Sequence, residues 1–262
     1  MIRNLILSVL SLVWAGAANA DFALNMREGI TELSAETYAL HMVVFWVCVA
    51  IGVVVFGVML VSLFLHRKSR GVTAASFSHS TSAEVIWTII PCLILLFMAV
   101  PAAETMIKLE DSRNPDISIV VTGYQWRWHY KYQDQGIEFY SSLASPSMQA
   151  RAKNSGIDPF SVDNYLLEVD RPLVVPVGAK VRVLVTSNDV VHAWWVPDLA
   201  IKKDAVPGIV NETWFKAEVA GTYRGQCAEL CGKDHGYMPV VVEVLEADAY
   251  AAWLAARTGS IE

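Results

Sequence analysis

The segment from residue 225 to residue 239 concentrates side chains that bind soft metal ions. It contains two thiols, an imidazole and a thioether at the spacing Cys-x3-Cys-x3-His-x2-Met, which corresponds to Cys227, Cys231, His235 and Met238. Sulfur and imidazole ligands favour copper, whereas hard cations such as magnesium and calcium prefer oxygen. The residue types and their order therefore predict a copper site, on a segment whose glycines allow the backbone to turn tightly.

The second cysteine bears on how many copper ions this segment would bind. An electron-transfer site with one copper uses two histidines, one cysteine and a weak axial methionine. The additional thiol indicates two copper ions bridged by two sulfur atoms. The second imidazole that such a site needs is available at His192, which follows the β-rich run 180–185.

Each of these side chains also has a simpler explanation. Two cysteines in an exported domain often form a disulfide, and a Cys-x3-Cys pair with a histidine could bind zinc. Met238 could fill the hydrophobic core, and His192, which lies beside two tryptophans, could be a buried structural histidine. The conjunction of five side-chain ligands in a copper-type order favours the copper interpretation over these alternatives.

The motif, with His192 ahead of it, resembles that of cytochrome c oxidase subunit 2, a family whose extramembrane domain carries the binuclear copper A centre. The similarity extends from about residue 21 to the C-terminus. The resemblance implies two thiolates that bridge both coppers, a histidine and a methionine on one copper, and a histidine and a backbone carbonyl on the other. In this sequence the bridging thiolates would be Cys227 and Cys231. One copper would also bind His192 and Met238, and the other would bind His235 and the backbone carbonyl of Glu229.

An aromatic residue occupies every second position from Tyr124 to Tyr130, and in a strand these side chains would share one face. For Trp128 and Tyr130 we expect that face to belong to the core. The resemblance implies another role for Trp126, because in this family the tryptophan that follows Gly-x-Gln receives electrons from cytochrome c. The nearby Arg127 and His129 depart from the family's pattern, which makes the local docking charge less predictable.

Two glutamates acquire roles from the same resemblance. Glu84 lies three residues before Trp87, at a position that marks the mouth of a proton-uptake route into subunit 1 in this family. Without the resemblance, Glu84 is a negative charge at a helix N-terminus, where the helix dipole favours it. The side chain of Glu229 is implied to reach a magnesium ion shared with subunit 1.

The N-terminus has the composition of a secretory signal at residues 1–20. Arg3 precedes an apolar run, and a small-x-small cleavage site precedes Asp21. The apolar run is too short to cross a bilayer, which disfavours the alternative of a third membrane helix.

Residues 21–108 contain two longer apolar segments, at about 42–65 and 85–103, which predict a transmembrane hairpin. The basic cluster 66–70 between them belongs in the cytoplasm by the positive-inside rule. Both ends of the hairpin therefore face outward. Two buried helices of a soluble protein are the alternative.

From residue 109 to residue 262 the sequence is rich in short β-type runs separated by turn residues. Their spacing predicts an all-β sandwich or Greek-key barrel, which the resemblance narrows to a cupredoxin-like domain. The expected fold class is membrane-anchored α+β: a two-helix transmembrane hairpin followed by an all-β cupredoxin-like domain. The predicted strands are 117–122, 165–169, 173–175, 180–186, 213–219 and 240–245. We expect a surface loop at 141–164 and a terminal helix at 247–257.

The exported segment 109–262 contains 20 acidic and 14 basic residues, a formal charge of −6. An acidic face would steer a positively charged partner, an effect that weakens at high salt. Glu138, Asp170 and Asp189 are the candidate docking carboxylates for cytochrome c, although each could equally be an ordinary solvated charge.

No basic stripe is present, which argues against nucleic acid as a partner. No Cys-x-x-Cys-His motif occurs, so the donor haem must belong to another protein.

The resemblance thus implies the electron-input subunit of a respiratory terminal oxidase in the bacterial inner membrane, with its copper domain in the periplasm. It would accept electrons from cytochrome c and pass them to haem in subunit 1, where oxygen is reduced to water and protons are translocated. Its partners would be subunit 1, other oxidase subunits, cytochrome c and the membrane.

Three alternative functions are a copper-free quinol oxidase subunit, a nitrous oxide reductase and a periplasmic copper chaperone. The ligand set disfavours the first, and the two-helix anchor disfavours the other two.

Overall fold

The structure, a computed structural model, describes residues 25–73, 75–76 and 78–258. Within these residues the chain forms two long helices followed by a β-sandwich and a terminal helix. The predicted secretory signal, residues 1–20, lies outside the described residues and stays a prediction, as do the predicted domain boundaries.

The first long helix, α1 (Glu32–Leu65), begins at a capping box. The Ser34 amide donates to the Thr31 hydroxyl and the Thr31 amide donates to the Ser34 hydroxyl, both at 2.9 Å. These bonds satisfy amides that a helix N-terminus otherwise leaves without partners. The helix has 34 residues, which at about 1.5 Å per residue is longer than a hydrocarbon core of about 30 Å. Helix α1 therefore extends beyond the predicted span 42–65, on the side of the β domain.

The second long helix, α2 (Thr81–Leu109), contains the predicted span 85–103 and packs against α1. Pro91 and Pro101 lie inside it, and the helix continues through both. Freed backbone carbonyls are tolerated where neighbouring helices or local adjustments satisfy them. Both helices are long and apolar enough to cross a membrane.

Ten strands form the β domain between residues 117 and 245. They are β1 (Ile117–Tyr124), β2 (Arg127–Tyr132), β3 (Glu138–Ser141), β4 (Leu173–Pro176), β5 (Lys180–Ser187), β6 (His192–Val196), β7 (Ile201–Ala205), β8 (Asn211–Lys216), β9 (Gly221–Cys227) and β10 (Pro239–Leu245). They make two five-stranded sheets, of order β3-β2-β1-β5-β8 and β4-β10-β9-β6-β7. Strands β1 and β5 pair in parallel, as do β10 and β4, and the other pairs are antiparallel. The predicted class, a two-helix hairpin followed by an all-β domain, is confirmed.

The core lies between the two sheets. Strand β5 alternates, with Val181, Val183 and Val185 fully buried and the residues between them partly exposed. Val240 and Val242 of β10 reach the same core from the other sheet. Burying each of these side chains contributes about 1.5–3 kcal/mol, and the resulting rigid sandwich fixes the strand ends that carry the candidate site.

Two local expectations in the segment before β4 are wrong. Residues 165–169 are not a strand, because Leu166 has φ +64°, a left-handed conformation that interrupts extended backbone. The predicted loop 141–164 contains a short helix, α3 (Ser145–Ala150), and a 3₁₀ turn at Pro159–Ser161. By contrast, the terminal helix is confirmed as α4 (Ala247–Thr258).

The alternating aromatic run does not share one face. Strand β1 ends at Tyr124 and β2 begins at Arg127, so that Trp126 lies in the turn that joins them. The chain reverses at this turn, which separates Tyr124 from the residues that follow. Trp128 and Tyr130, both on β2, are fully buried as predicted.

Candidate metal centre

The copper-type motif forms the loop between β9 and β10 at one end of the sandwich. Strand β9 ends at Cys227, β10 begins at Pro239, and the Cys227 amide donates to the Met238 carbonyl at 2.9 Å. This bond closes the base of the loop, so that the two residues lie side by side. His192 is the first residue of β6, which pairs with β9 and brings the imidazole to the same end of the sheet.

Two free thiols lie at the middle of this cluster. The Sγ atoms of Cys227 and Cys231 are 3.8 Å apart. His192 Nδ1 is 3.9 Å from Cys227 Sγ, and His235 Nδ1 is 3.6 Å from Cys231 Sγ. The Glu229 carbonyl oxygen is 3.3 Å from Cys227 Sγ. Each imidazole therefore faces one member of a sulfur pair, with a backbone carbonyl beside it.

The cluster is closed to bulk water on most sides. His192 is fully buried, and Cys227, Cys231 and Met238 are 5%, 3% and 2% exposed. The ligand atoms offered by His192 and the two cysteines all lie within 4.8 Å of one another. Met238 belongs to the same core cluster, and His235 is half-buried on the outer side. The structure thus brings the residues of the predicted ligand set to one place.

Asp189 orients the His192 ring. Its Oδ1 atom lies 2.9 Å from His192 Nε2, so the imidazole can donate its Nε2 proton and present Nδ1 to the thiols. The carboxylate is itself held, because the amides of Gln125 and Val190 donate to it at 2.7 and 2.6 Å. The sequence suggested Asp189 only as a docking charge. Its spacing of three residues before His192 is a signal that could have indicated this second role.

Electrostatics in the metal-free cluster favour one thiolate. Burial is the largest influence on Cys227 and opposes its ionisation, but the hydrogen bonds with His192, His235 and the backbone of Ala193 and Glu229 together outweigh it and lower the pKa of this thiol to about 7. Burial and the charge of Cys227 raise the pKa of Cys231 to about 12. Burial would lower the pKa of His192, but hydrogen bonds with Cys227 and Asp189 raise it above its ordinary value. Metal binding must therefore remove the proton of Cys231, because a metal ligates the thiolate.

Two glycines allow the backbone to pack closely around the cluster. A Cβ on Gly123 would lie 2.7 Å from Cδ2 of His192. A Cβ on Gly225 would lie 1.8 Å from the backbone oxygen of Trp195 on the neighbouring strand. Neither position can therefore carry a larger side chain without moving the strands that place the imidazole and the thiols.

Trp126 contacts the ligand loop directly. Its indole Nε1 donates to the Cys231 carbonyl oxygen at 3.2 Å, and the same oxygen accepts from Gln125 Nε2 at 2.9 Å. The indole is half-buried, so one part of it reaches the surface while another touches the backbone of Cys231. Sequence reasoning singled out Trp126 but missed Gln125, which links Cys231 to the carboxylate that orients His192.

The side chains of the other predicted site residues lie outside the cluster. Glu84 is exposed in the first turn of α2, at the helix end opposite to the β domain. The Glu229 side chain is exposed beside the cluster. Of the candidate docking carboxylates, Glu138 lies 3.7 Å from Lys131 Nζ, and Asp170 accepts a hydrogen bond from the Ser142 amide at 2.8 Å.

Comparison with known families accounts for this arrangement. A family model described as the periplasmic domain of cytochrome c oxidase subunit II matches residues 117–245, and one described as its transmembrane domain matches residues 19–104. The chain belongs to the cytochrome c oxidase subunit II family. Its membership confirms the recognition made from the copper-type motif, and it makes the chain a subunit of an enzyme.

Individual relatives support the same assignment. Cytochrome c oxidase subunit 2 of Cereibacter sphaeroides is 38% identical over 225 residues, which are 81% of this chain and 73% of the relative. The probable cytochrome c oxidase subunit 2 of Rickettsia bellii is 38% identical over 223 residues, 85% of this chain and 79% of the relative. The crystal structure of the periplasmic domain of cytochrome oxidase subunit II of Bradyrhizobium japonicum matches with a TM-score of 0.50 and 39% identity, covering 58% of this chain and 99% of that domain. The chain is thus a membrane-anchored member of the family with a periplasmic β domain.

Proposed function

We propose that this chain is the electron-input subunit of a respiratory terminal oxidase. It accepts electrons from cytochrome c at a binuclear copper A centre and passes them to haem in subunit 1, where oxygen is reduced to water and protons are translocated. The observation that carries the proposal is the pair of free, buried thiols 3.8 Å apart, each facing one imidazole.

The donor set fits copper by its chemistry. Two thiols, two imidazoles and a thioether are soft or intermediate ligands, which suit copper better than the hard cations. Cys227, Cys231, His192, His235, Met238 and the Glu229 carbonyl would hold the two ions. The ordered, hydrogen-bonded imidazole of His192 is a feature of metal-binding histidines, which donate their second ring nitrogen to an acceptor.

When bound, the copper pair supplies a site that gains and loses one electron with little change of geometry. The protein's part is to hold the ligands rigidly. Cys227 is fixed by strand pairing and by its amide bond to Met238, and His192 is fixed by Asp189. A scaffold that does not rearrange keeps the reorganisation energy of electron transfer small.

Trp126 gives the site a connection to the surface. The hydrogen bond from its indole to the Cys231 carbonyl joins the exposed part of the ring to a thiol ligand through one contact and the backbone. We assign Trp126 the role of electron acceptor from a docked cytochrome c. Glu138, Asp170 and Asp189 are the candidate docking carboxylates, although Asp189 is already engaged by His192 and two backbone amides.

Two further roles belong to this proposal. Glu84, exposed where α2 begins, would accept protons at the mouth of an uptake route into subunit 1. The exposed Glu229 carboxylate would bind a magnesium ion together with subunit 1. The hairpin would place the chain in the bacterial inner membrane with the metal centre in the periplasm.

Electron paramagnetic resonance tests the proposal. The full chain is purified in detergent, its thiols are reduced, and copper is then added. We expect the hyperfine pattern of one unpaired electron shared equally by two copper nuclei. Cys231→Ser should abolish this pattern, whereas Cys48→Ser, which removes an exposed thiol in α1, should leave it intact. The pattern of a single copper nucleus in the unmodified chain would exclude the binuclear centre. Failure to take up copper would favour a copper-free subunit of the quinol oxidase type.

A further inference from the structure

Arg151 connects the segment after β3 to the second half of the ligand loop. Its Nη2 atom donates to Asp234 Oδ1 at 2.7 Å, and its guanidinium carbon lies 3.7 Å from the centre of the Tyr237 ring. The side chains of Arg151 and Asp234 are only 22% and 23% exposed. One guanidinium thus makes an ion pair and a cation–π contact to two residues of the same loop.

The backbone that carries Arg151 is itself held in place by hydrogen bonds. The residue follows α3 directly, and its amide donates to the Ser147 carbonyl at 3.0 Å. Ser147 is fully buried, and its hydroxyl accepts a hydrogen bond from the Leu166 amide at 3.0 Å. Arg151 therefore projects from a backbone that is tied to the rest of the β domain, and it can act as a fixed support.

The residues that Arg151 contacts enclose two of the predicted ligands. Asp234 immediately precedes His235, and Tyr237 immediately precedes Met238. The Tyr237 amide donates to the Asp234 carbonyl at 2.9 Å, so the two contact residues form one turn around His235. Holding this turn fixes the backbone on both sides of the imidazole.

The two halves of the ligand loop are supported separately. Gln125 and Trp126 hold the first half through the Cys231 carbonyl, as described above. Beyond Cys231, the Arg151 ion pair with Asp234 ties the loop to the segment after β3. An exposed ion pair contributes little to stability, but a half-buried one with a planar, stacked guanidinium constrains geometry more strongly.

We propose that Arg151 is a positioning residue for the metal centre, which holds His235 and Met238 in place by fixing the turn 234–237. The proposal rests on the copper function assigned above and extends it to a residue outside the ligand motif. Within the described residues, Arg151 contacts Asp234 and Tyr237 of the loop rather than a predicted ligand atom, and it would act through these two residues. Its effect should therefore reach the ligands of the second half of the loop and spare Cys227.

The test compares Arg151→Gln and Arg151→Lys with Asp234→Asn and a control, in the full chain purified in detergent. Arg151→Lys keeps the charge but loses the planar fork and the stacking. The control is Arg113→Gln, which removes an 82% exposed arginine paired with Asp111 on the connection before β1. Copper release to a chelator and the paramagnetic resonance spectrum are measured on loaded protein. Amide hydrogen exchange at residues 232–238 is measured on metal-free protein.

Arg151→Gln and Asp234→Asn should each release copper roughly tenfold faster, the lower end of the loss seen when residues that support metal ligands are removed. Their spectra should show the unpaired electron shared unequally, and Arg151→Lys should restore part of both properties. Release, spectrum and exchange should be unchanged in Arg113→Gln.

Hydrogen exchange separates this inference from the copper assignment. Faster exchange at 232–238 in metal-free Arg151→Gln would establish that the residue holds the loop, even if the chain bound no copper. Exchange equal to that of the unmodified chain would overturn the inference, whatever metal is present. If Arg151→Gln did not fold, Arg151→Lys and Asp234→Asn would decide in the same way.

Discussion

At the scale of single residues, the candidate site contains side chains that orient the predicted ligands as well as the predicted ligands themselves. Asp189 is the clearest case, because one carboxylate accepts from the His192 ring and from two backbone amides. Burial opposes its ionisation, but these hydrogen bonds hold the pKa of Asp189 below its ordinary value. The group is therefore charged at neutral pH, and it orients the His192 ring so that Nδ1 faces the thiols.

We expect Asp189→Asn to weaken copper binding by about tenfold, because the amide cannot stabilise the ordered imidazole as a carboxylate does. Competition with a chelator of known copper affinity measures the change. Asp170→Asn is the matched control, since Asp170 also accepts a backbone hydrogen bond but lies outside the cluster. Equal affinities for the two variants would show that Asp189 does not support the ligand.

At the scale of secondary-structure elements, the two sheets are connected by a side chain as well as by apolar packing. Strand β4 is an edge of its sheet, and the backbone groups of Val174 on its free side are buried. The Tyr132 hydroxyl of the other sheet donates to the Val174 carbonyl at 2.7 Å and accepts from the Val174 amide at 2.9 Å. One hydroxyl thus satisfies both groups on the edge strand and links β2 to β4.

Tyr132→Phe should reduce the free energy of unfolding of the β domain by about 1–3 kcal/mol, because it leaves two buried backbone groups without partners. Denaturant titration of the detergent-solubilised chain, followed by tryptophan fluorescence, measures the effect. Tyr250→Phe provides the control, since within the described residues the buried Tyr250 hydroxyl has no hydrogen-bond partner. A loss of stability as large in Tyr250→Phe would contradict the explanation.

At the scale of the whole molecule, the β domain is fastened to the ends of both long helices. The Ile30 amide, just before α1, donates to the Asp198 carbonyl at 2.9 Å. The Trp214 indole of β8 donates to the Lys108 carbonyl in the last turn of α2 at 3.0 Å. Lys180 of β5 donates to the backbone of Asp111 at 2.8 Å. These bonds set the orientation of the domain on its membrane hairpin, and the candidate metal centre lies at the opposite end of β5.

The charge close to Trp126 is opposite in sign to the net charge of the exported segment. The exported segment is acidic overall, yet Lys233 Nζ lies 5.5 Å from the Trp126 ring and Arg127 is adjacent in sequence. A basic cytochrome c would therefore be attracted at long range and opposed by Lys233 at close range. The acidic docking face was predicted from the net charge of the exported segment, which does not reveal that Lys233 lies beside Trp126.

Lys233→Glu should accelerate electron transfer from a basic cytochrome c several-fold at low ionic strength, and the gain should vanish at high salt. Stopped-flow reduction of the copper-loaded chain measures the rate. Lys216→Glu makes the same change of net charge at the far end of the sheet, opposite Lys180, and should have a smaller effect. A slower rate in Lys233→Glu would show that the donor presents an acidic face to Trp126.

The chemistry of the ligand set and the class of the fold follow from the sequence alone. Cys227, Cys231, His235 and Met238 are close in sequence, and a loop of twelve residues or fewer keeps its members close in space whatever surrounds it. The strand periodicity of 180–186 and the uninterrupted apolar length of 42–65 are also local properties. Side chains alternate between the two faces of a strand, and the length of an apolar run can be compared directly with the thickness of a bilayer. Local patterns failed at 165–169, where a residue in the left-handed conformation interrupts a strand-like composition.

The supports of the site were decided by tertiary structure. Asp189 and Gln125 are 64 residues apart and meet through one hydrogen bond, and Arg151 and Asp234 are 83 residues apart. No spacing rule relates such pairs, since their proximity depends on the register of β1 with β5 and on the path of the segment after β3. Sequence therefore determined which atoms can bind a metal. The packing of distant strands determined which side chains hold those atoms still, because a hydrogen bond forms only where the folded backbone brings donor and acceptor within reach.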